Sequence, residues 1–584
     1  MKQLCVRTAI SPLWKAAGDI SCGILSPGGD LVSQGPDDIP IHLGSMPMSL
    51  AGILAALDPA TFRAGDAFLQ NDPYQGNNHL PDTIMAKPVF HDGEIIAYTA
   101  VRGHYIDIGG LRPGSYSTMA RDTFGEGLRI PPVRLYEQGE EDPDLFRLIA
   151  VNTRMPRDLL GDIRAQHAGC LAGERRILAL VERYGPDVFT RGVAATLDHS
   201  ERLMRARIAE LPPGTYEFAD ACDDDGFGDD PIEIRVRVEV DGSNVAIDFA
   251  GTSPQVPTYM NAPLAVTKSS AYFAVIAFLE PETMPNSGAY RAISVTAPEG
   301  SVVNPTEPAP VAAGNHETAT RIFDVVLGAL AQADPARAVA AGSGSSCGFH
   351  ITGHGRDEHG EKVEPRTWIE VHGAARGAGR DYDGANALHG GIDNTANTPV
   401  EQIEMEYPIR IHNYSFAVDS GGPGTWRGGV AVTRDLELLA DEAYLTVLSE
   451  RARIPPYGLF GGSPGQIARF DLFHQEIRDE YRYPEDRDGG GTRIRAKMDA
   501  LEVDRGMILR IRAPGGGGYG DPFARDPDLV ARDVADGFVS PEAALADYGV
   551  VVHPSDRFDR DGRYEVDAAA TAQRRDAGHG GGGG

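Results

Sequence analysis

Two short stretches constrain this chain more than any others. They are Asn71-Asp72-Pro73-Tyr74-Gln75-Gly76-Asn77-Asn78-His79-Leu80-Pro81-Asp82 and Arg102-Gly103-His104-Tyr105-Ile106-Asp107-Ile108-Gly109-Gly110. Each holds a His followed three residues later by an Asp: His79 and Asp82, then His104 and Asp107. The run between them reads as a β-hairpin. One strand spans Thr83 to Phe90, the turn is His91-Asp92-Gly93-Glu94, and the return strand spans Ile95 to Arg102. An Asp-Gly turn between apolar runs is a strong short-range hairpin signal. The register set by that turn puts Asp82 nearly opposite Gly103, and His79 nearly opposite Ile106. Two His and two Asp then converge at the open end of one ribbon. Imidazole nitrogens and carboxylate oxygens are the ligand set for a divalent cation such as Zn, Mn or Fe. A lone His-x-x-Asp is more often structural; two copies joined by a hairpin favour a metal. Asp72 is expected as a fifth ligand or as an acceptor that orients a His.

The rest of the chain sets bounds on that reading. A length of 584 residues buries at least one large core and suggests two or three domains. The net charge of −30 argues against nucleic acid or an anionic membrane as partner. No run of 18 apolar residues offers a membrane span, and Met1 to Thr8 has no apolar stretch of the signal-peptide kind. The five cysteines (Cys5, Cys22, Cys170, Cys222, Cys347) are odd in number and lack Cys-x-x-Cys spacing. A reduced, cytoplasmic setting fits them best, with no disulfide frame and no zinc knuckle.

Periodicity predicts a mixed α+β chain, with antiparallel hairpins, a central helical section and a glycine-rich, strand-rich C-terminal part. The expected divisions are 1–150 (hairpin and metal region), 151–214 (helical), 215–366 (mixed), 367–522 (glycine- and strand-rich), 523–567 (short helices) and 568–584 (disordered tail). Helices are expected from Asp158 to Arg183, Val188 to Glu210, Thr267 to Leu279 and His316 to Gln332. Two more are expected from Asp526 to Ala535 and Ser540 to Asp547. Alternation of Ile232, Ile234, Val236, Val238 and Val240 with polar residues, then an Asp241–Asn244 turn and Val245, Ile247 and Phe249, predicts a second hairpin. Tyr444–Leu448 and Met507–Ile511 read as strands, and Arg478–Gly491 as a mobile loop. Asp223–Asp230 fails the EF-hand spacing, because its twelfth position is Ile232, and reads as an acidic turn.

Other chemical motifs are weak. No Gly-x-x-x-x-Gly-Lys-[Ser/Thr] phosphate loop occurs. Gly344-Ser345-Ser346-Cys347-Gly348 and Gly461-Gly462-Ser463-Pro464-Gly465 spell a nucleophile elbow, but no helical pattern follows either copy. The glycines of Asp419–Gly429 and Ala513–Pro522 read as tight connections that let backbones approach closely.

These stretches together resemble the B-type subunit of the hydantoinase/oxoprolinase family, from about Arg7 to about Val551. The resemblance is carried by Ile39-Pro40-Ile41-His42-Leu43-Gly44-Ser45-Met46, by Asn71–Asp82 and by Arg102–Gly110. It continues through Gly161-Asp162-Ile163-Arg164-Ala165-Gln166, Asp248–Ser253, Asn394–Glu401, Asp419–Gly429 and Pro514–Pro522. The family's metal motif maps onto His79, Asp82, His104 and Asp107, where spacing alone already places a site. Some positions depart from the family pattern: Gly76-Asn77-Asn78, Tyr105, Leu13–Gly18 and His372-Gly373-Ala374-Ala375-Arg376. The resemblance also implies a helix ahead of Arg7-Thr8-Ala9, without which this sequence is expected to begin.

The resemblance implies the catalytic B-type component of an ATP-dependent amidohydrolase that opens a cyclic amide of the hydantoin or 5-oxoproline type. The ATP site is expected on a hydantoinase A-type partner in a hetero-oligomer. A divalent metal would polarise a carbonyl or activate water, with His42 as general base. The family also includes components of ketone carboxylases, so ATP-dependent ketone carboxylation is the first alternative. A scaffold whose metal only stabilises the fold is the second.

Overall fold

The computed structural model describes all residues except 280–284, 354–358, 360, 362–365, 475–481, 483–490, 556–563 and 580–584. Most of the loop expected at Arg478–Gly491 therefore lies outside the described residues. The architecture is α+β, as expected. Its first layer is a seven-stranded antiparallel sheet. In spatial order its strands are Leu31–Gln34, Ile20–Leu25, Glu94–His104, Asp82–His91, Ala67–Gln70, Val133–Glu137 and Glu140–Glu141.

The two central strands are the predicted hairpin, and they are buried on both faces. Ile84, Ala86, Tyr98 and Ala100 enter one core, while Met85 and Val101 enter another. That is why the sequence there is a continuous apolar run rather than a strict alternation. The long helix Pro156–Tyr184 covers one face of the hairpin. On the other side, helix Pro40–Ala56 packs against helix Leu264–Leu279. Helix Pro40–Ala56 was not expected, and His42 lies in its first turn rather than at a strand end. Ile41, Leu43, Met46, Leu50 and Ile53 are all buried, so no amphipathic stripe marks it. Gly44 lets this helix approach Ser269 closely; a Cβ there would overlap it.

A second sheet orders Ile293–Thr296, Asn244–Asp248, Ile232–Asp241 and Gly214–Cys222. Helix Ala319–Ala333 packs on it. That helix is preceded by a π-helical turn, Gly314–Thr318, which brings Asn315 and His316 to the site. The C-terminal part is a sandwich of a four-stranded sheet (Arg366–Glu370, Gly348–Gly353, Ala443–Leu448, Lys497–Val503) and a five-stranded one. Phe349, Trp368 and Leu445 meet Leu436, Phe470 and Leu509 in the core between them. The glycine runs behave as expected: a Cβ on Gly428 or Gly515 would collide with backbone carbonyls of Gly516 or Ser420.

Two further segments differ from expectation. Lys2–Thr8 is helical and packs on Pro156–Tyr184. Residues Ala568–His579, expected to be disordered, form a helix. Thr571 is buried and accepts from Val551 N–H, and Arg575 donates to the Tyr548 and Arg525 carbonyls. A low-complexity composition hid these anchors. In the acidic turn, Asp223 accepts from the Ala452, Arg453 and Ile454 amides, and Asp224 pairs with Lys497. Both are structural carboxylates. Neither nucleophile-elbow spelling leads into a helix; the first leads into strand Gly348–Gly353.

Candidate metal centre

Asp82 opens one strand of the hairpin and His104 closes the other, and the two are paired directly. The register runs Phe90↔Ile95 next to the turn, then Val89↔Ala97. Ile96 is thus an extra residue, a β-bulge, which moves the pairing by one position from the one the turn alone sets. His79 reaches the same place from the turn before the strand. Asn77 Nδ2 fixes that turn by donating to the carbonyls of Asn71, His79 and Asp82 at 2.9, 3.1 and 2.7 Å.

Asp82 Oδ1 lies 3.1 Å from His79 Nε2 and 3.3 Å from His104 Nδ1, while Oδ2 lies 3.2 Å from His42 Nε2. All four residues are buried. Burial alone would push the Asp82 carboxyl up. Its contacts with the imidazoles of His79, His42 and His104 outweigh it and hold the carboxyl well below the usual range. His104 is pushed down to about 4 by burial, against its contact with Asp82. It is therefore neutral near pH 7, the form that binds a metal. His79 Nδ1 lies 2.7 Å from the Ala312 carbonyl. An N–H at Nδ1 donating there leaves the lone pair on Nε2, facing Asp82.

The donor set fits a cation. Ligand atoms of His79, Asp82 and His104 lie within 4.8 Å of one another, and Asp19, His42 and Asp82 make a second such group. Asp82 Oδ1 and His104 Nε2 are buried without a hydrogen-bond partner. The Asp82 carboxylate oxygen and the His79 Nε2 lone pair, turned toward one another in a dry site, repel unless a positive charge lies between them.

The surrounding residues orient this group. Arg102 is fully buried; its Nη1 donates to the His42 carbonyl and to Asn78 Oδ1, and its guanidinium also reaches Ser45 and Ser49. Asn78 Nδ2 in turn donates to Asp82 Oδ2 at 3.1 Å. Ser21 Oγ accepts from Ile39 N–H and lies 3.2 Å from His42 Nδ1. Tyr116 stacks on His104 with an interplanar angle of 7°.

Two expected site residues lie elsewhere. Asp107 was expected as a ligand. Its Oδ1 accepts from the Gly109 and Arg154 amides and from Thr153, and its Oδ2 from Gly114 N–H and Arg154 Nη1. Both oxygens are thus committed to holding the loop that follows the hairpin. Asp72, expected as a ligand or catalytic acceptor, caps the turn Pro73–Gln75 and pairs with Arg129 Nη2 at 2.8 Å. Cap chemistry explains it fully.

Asp19, Asn315 and Glu126 were not anticipated. Asp19 lies 3.7 Å from His42 Nε2, and burial, then the charges of Asp82 and Asp393, push its carboxyl well up. Asn315 Nδ2 donates to His79 Nε2 and Asp82 Oδ2 at 3.3 and 3.2 Å. The dense polar run Gly314-Asn315-His316-Glu317 was the signal available for it. Glu126 accepts from the Val311 and Ala312 amides and so fixes the carbonyl that orients His79. The group opens on a cavity bordered by Asp19, His42, His316, His350 and Glu370 and closed by apolar Ile39, Ile369 and Ile392.

Fold and site together define an α+β protein with a buried histidine–carboxylate group, able to hold a metal, at the wall of an internal cavity. The chain belongs to the hydantoinase B/oxoprolinase family, whose family model matches residues 1–522. It is 33% identical over 582 residues to the beta chain of the caprolactamase of Pseudomonas jessenii, covering 98% of this chain and 95% of that one. It is 30% identical to the B-type chain of a putative D-/L-hydantoinase from a Pseudomonas species, covering 95% and 92%. The crystal structure of the ATP-dependent caprolactamase from Pseudomonas jessenii superposes with a TM-score of 0.87 at 30% identity, over 98% of this chain and 96% of that one. A nucleotide-free acetone carboxylase structure shares the fold, with a TM-score of 0.88 at 22% identity, over 99% and 80%. Among the described residues no helix is long and apolar enough to cross a membrane.

Proposed function

We propose that this chain is the metal-bearing B-type subunit of an ATP-dependent cytoplasmic enzyme that opens a cyclic amide of the hydantoin or 5-oxoproline type. An A-type partner supplies the ATP site. The observation that carries this reading is the convergence of His79, His104 and His42 on Asp82, at a cavity that His42, Asp82 and His104 border, in a family whose named relatives include hydantoinase and caprolactamase chains. His79, Asp82 and His104 would hold Mn, Zn or Fe. A divalent cation there supplies Lewis acidity and a water that ionises near neutral pH.

The protein's own groups do the rest. Amide resonance makes the ring carbonyl a poor electrophile, so the carbonyl oxygen must first be activated, which is the task of ATP on the partner. His42 Nε2, between Asp82 Oδ2 and Asp19 Oδ1, is placed to take a proton from the attacking water. Asp19, its carboxyl pushed up by burial, is placed to hold that proton next. The apolar wall of Ile39, Ile369 and Ile392 excludes bulk water.

The test is to purify the chain with its A-type partner, measure bound metal, and follow ATP turnover against a panel of lactams and ketones. Lactam-dependent ATP hydrolysis with ring opening is expected. Turnover that requires bicarbonate and a ketone would assign the complex to carboxylation. Full turnover by a metal-free His79→Ala complex would reduce the metal to a structural role.

A further inference from the structure

A second cavity, of about 130 Å³, lies between helix Ala319–Ala333 and the loops Gly342–Ser345 and Gly390–Gly391. Arg376 and Ser343 both border it. Among the described residues the Arg376 guanidinium makes no ion pair and no hydrogen bond. Burial pushes it down, and Asp324 is its one charged neighbour. Asp324 is already engaged, at 3.1 Å from Arg451 Nη2 and 3.8 Å from Arg321 Nη1. Arg376 is half-buried, and a guanidinium partly withdrawn from water without a partner loses solvation that no protein group replaces.

Two further donors border the same space without partners. Ser343 is 1% exposed, and its Oγ has no hydrogen bond. Arg337 Nη1 is likewise buried and unpartnered, although the rest of that guanidinium meets Glu210 and Asp334. Glycines at 342, 344, 377, 390 and 391 supply one part of the remaining wall, Phe278, Phe323, Leu327 and Val339 supply an apolar part, and Asp324 also borders the space. The glycine part brings backbone close to a ligand and leaves room for it. The volume holds several waters or one small ion.

We infer that this cavity is a binding site for a phosphoryl oxyanion, held by Arg376, Ser343 and Arg337. Three donors from two separate connections, Arg337 and Ser343 on one and Arg376 on the other, suit a tetrahedral group, whose oxygens point in several directions. A carboxylate, with two oxygens in one plane, is matched by a single guanidinium fork. The site is also next to the metal cavity along the chain. Gly342–Ser345 leads into the strand that carries Gly348 and His350, and Gly390–Gly391 precede Ile392 and Asp393; all four of those residues border the first cavity. Its use in turnover, as a station for the phosphoryl group released from the activated amide, rests on the ATP-dependent reading above. The binding itself does not.

The test uses the full-length chain without ATP or partner. Inorganic phosphate, acetate and chloride are titrated at matched ionic strength by calorimetry, with thermal unfolding as a second readout. Saturable phosphate binding, absent with acetate and chloride, is expected. Arg376→Gln should weaken it at least tenfold and Ser343→Ala severalfold, with metal content unchanged in both. Arg376→Lys should keep a weakened site, and it decides the matter with Ser343→Ala if Arg376→Gln does not fold. Acetate binding as well as phosphate, no phosphate binding, or undiminished binding in the variants would each overturn the assignment. Loss of lactam turnover alone would bear on the metal reading and not on this one.

Discussion

Asp82 and His104 face each other as a directly paired couple across the hairpin, with Asp82 Oδ1 3.3 Å from His104 Nδ1. Their pairing is the geometric basis of the proposed metal group, and His79 completes it from the preceding turn. Asp82→Asn, which removes the charge but keeps the shape, should lower affinity for a divalent cation by about 100-fold or more. His104→Ala should do the same. Changing Asn315, which only orients the ligands, should cost about 10–100-fold. Metal content after dialysis, with circular dichroism to establish folding, checks all three. Retained metal in Asp82→Asn would remove the basis of the site.

Asp107→Asn should behave differently. Its carboxylate ties Arg154 and the Gly109 and Gly114 amides together and lies outside the ligand group. Metal content should stay at the wild-type level. Stability should fall by about 2 kcal/mol, the scale of a lost hydrogen bond to a charged group. Denaturant unfolding and metal analysis on the same preparation separate the two effects.

The contrast between Asp82 and Asp107 shows what the sequence could and could not reveal. The hairpin, its Asp-Gly turn and both histidines were legible because period and turn chemistry are local. The bulge at Ile96 was not, since nothing in a single strand marks where its partner gains a residue. Asp107 has the same spacing from its His as Asp82, but Arg154, 47 residues later, decides its role. Helix Pro40–Ala56 was missed because it is buried on nearly every side, and with it the position of His42. Asn315 and Asp19 come to the site through contacts distant in sequence. The long amphipathic helices, by contrast, were recovered within a few residues, because one face of each meets water.

Glu126 gives a pH dependence that can be isolated. Burial pushes its carboxyl up to about 8 from 4.5, against hydrogen bonds from Val311 and Ala312. The folded state therefore holds a proton that the unfolded state has lost. The stability this contributes is whole below pH 4.5, declines through the interval as pH rises, and is gone above 8. The slope is about 1.4 kcal/mol per pH unit from this group. Glu126→Gln should flatten that part of the profile between pH 5 and 8 (about that window, by the linkage relation). Unfolding free energies of both proteins across the interval test it; parallel profiles would show that Glu126 does not titrate there.

Gly103 is the strand residue just before His104, and a Cβ on it would overlap the ring of Trp14. That indole is fully buried, stacks near Tyr105 and donates from Nε1 to the His104 carbonyl at 2.8 Å. The glycine thus lets an aromatic ring press directly on the backbone that carries His104, a proposed metal ligand. Gly103→Ala should destabilise the protein by about 1–3 kcal/mol through overpacking, and it should weaken metal binding by displacing His104. Trp14→Leu in the same chain makes room for the added methyl. The double variant should therefore be less destabilised than the sum of the two single changes, and it should recover part of the metal affinity. Strict additivity in a double-mutant cycle would show that the ring and the glycine do not act on each other.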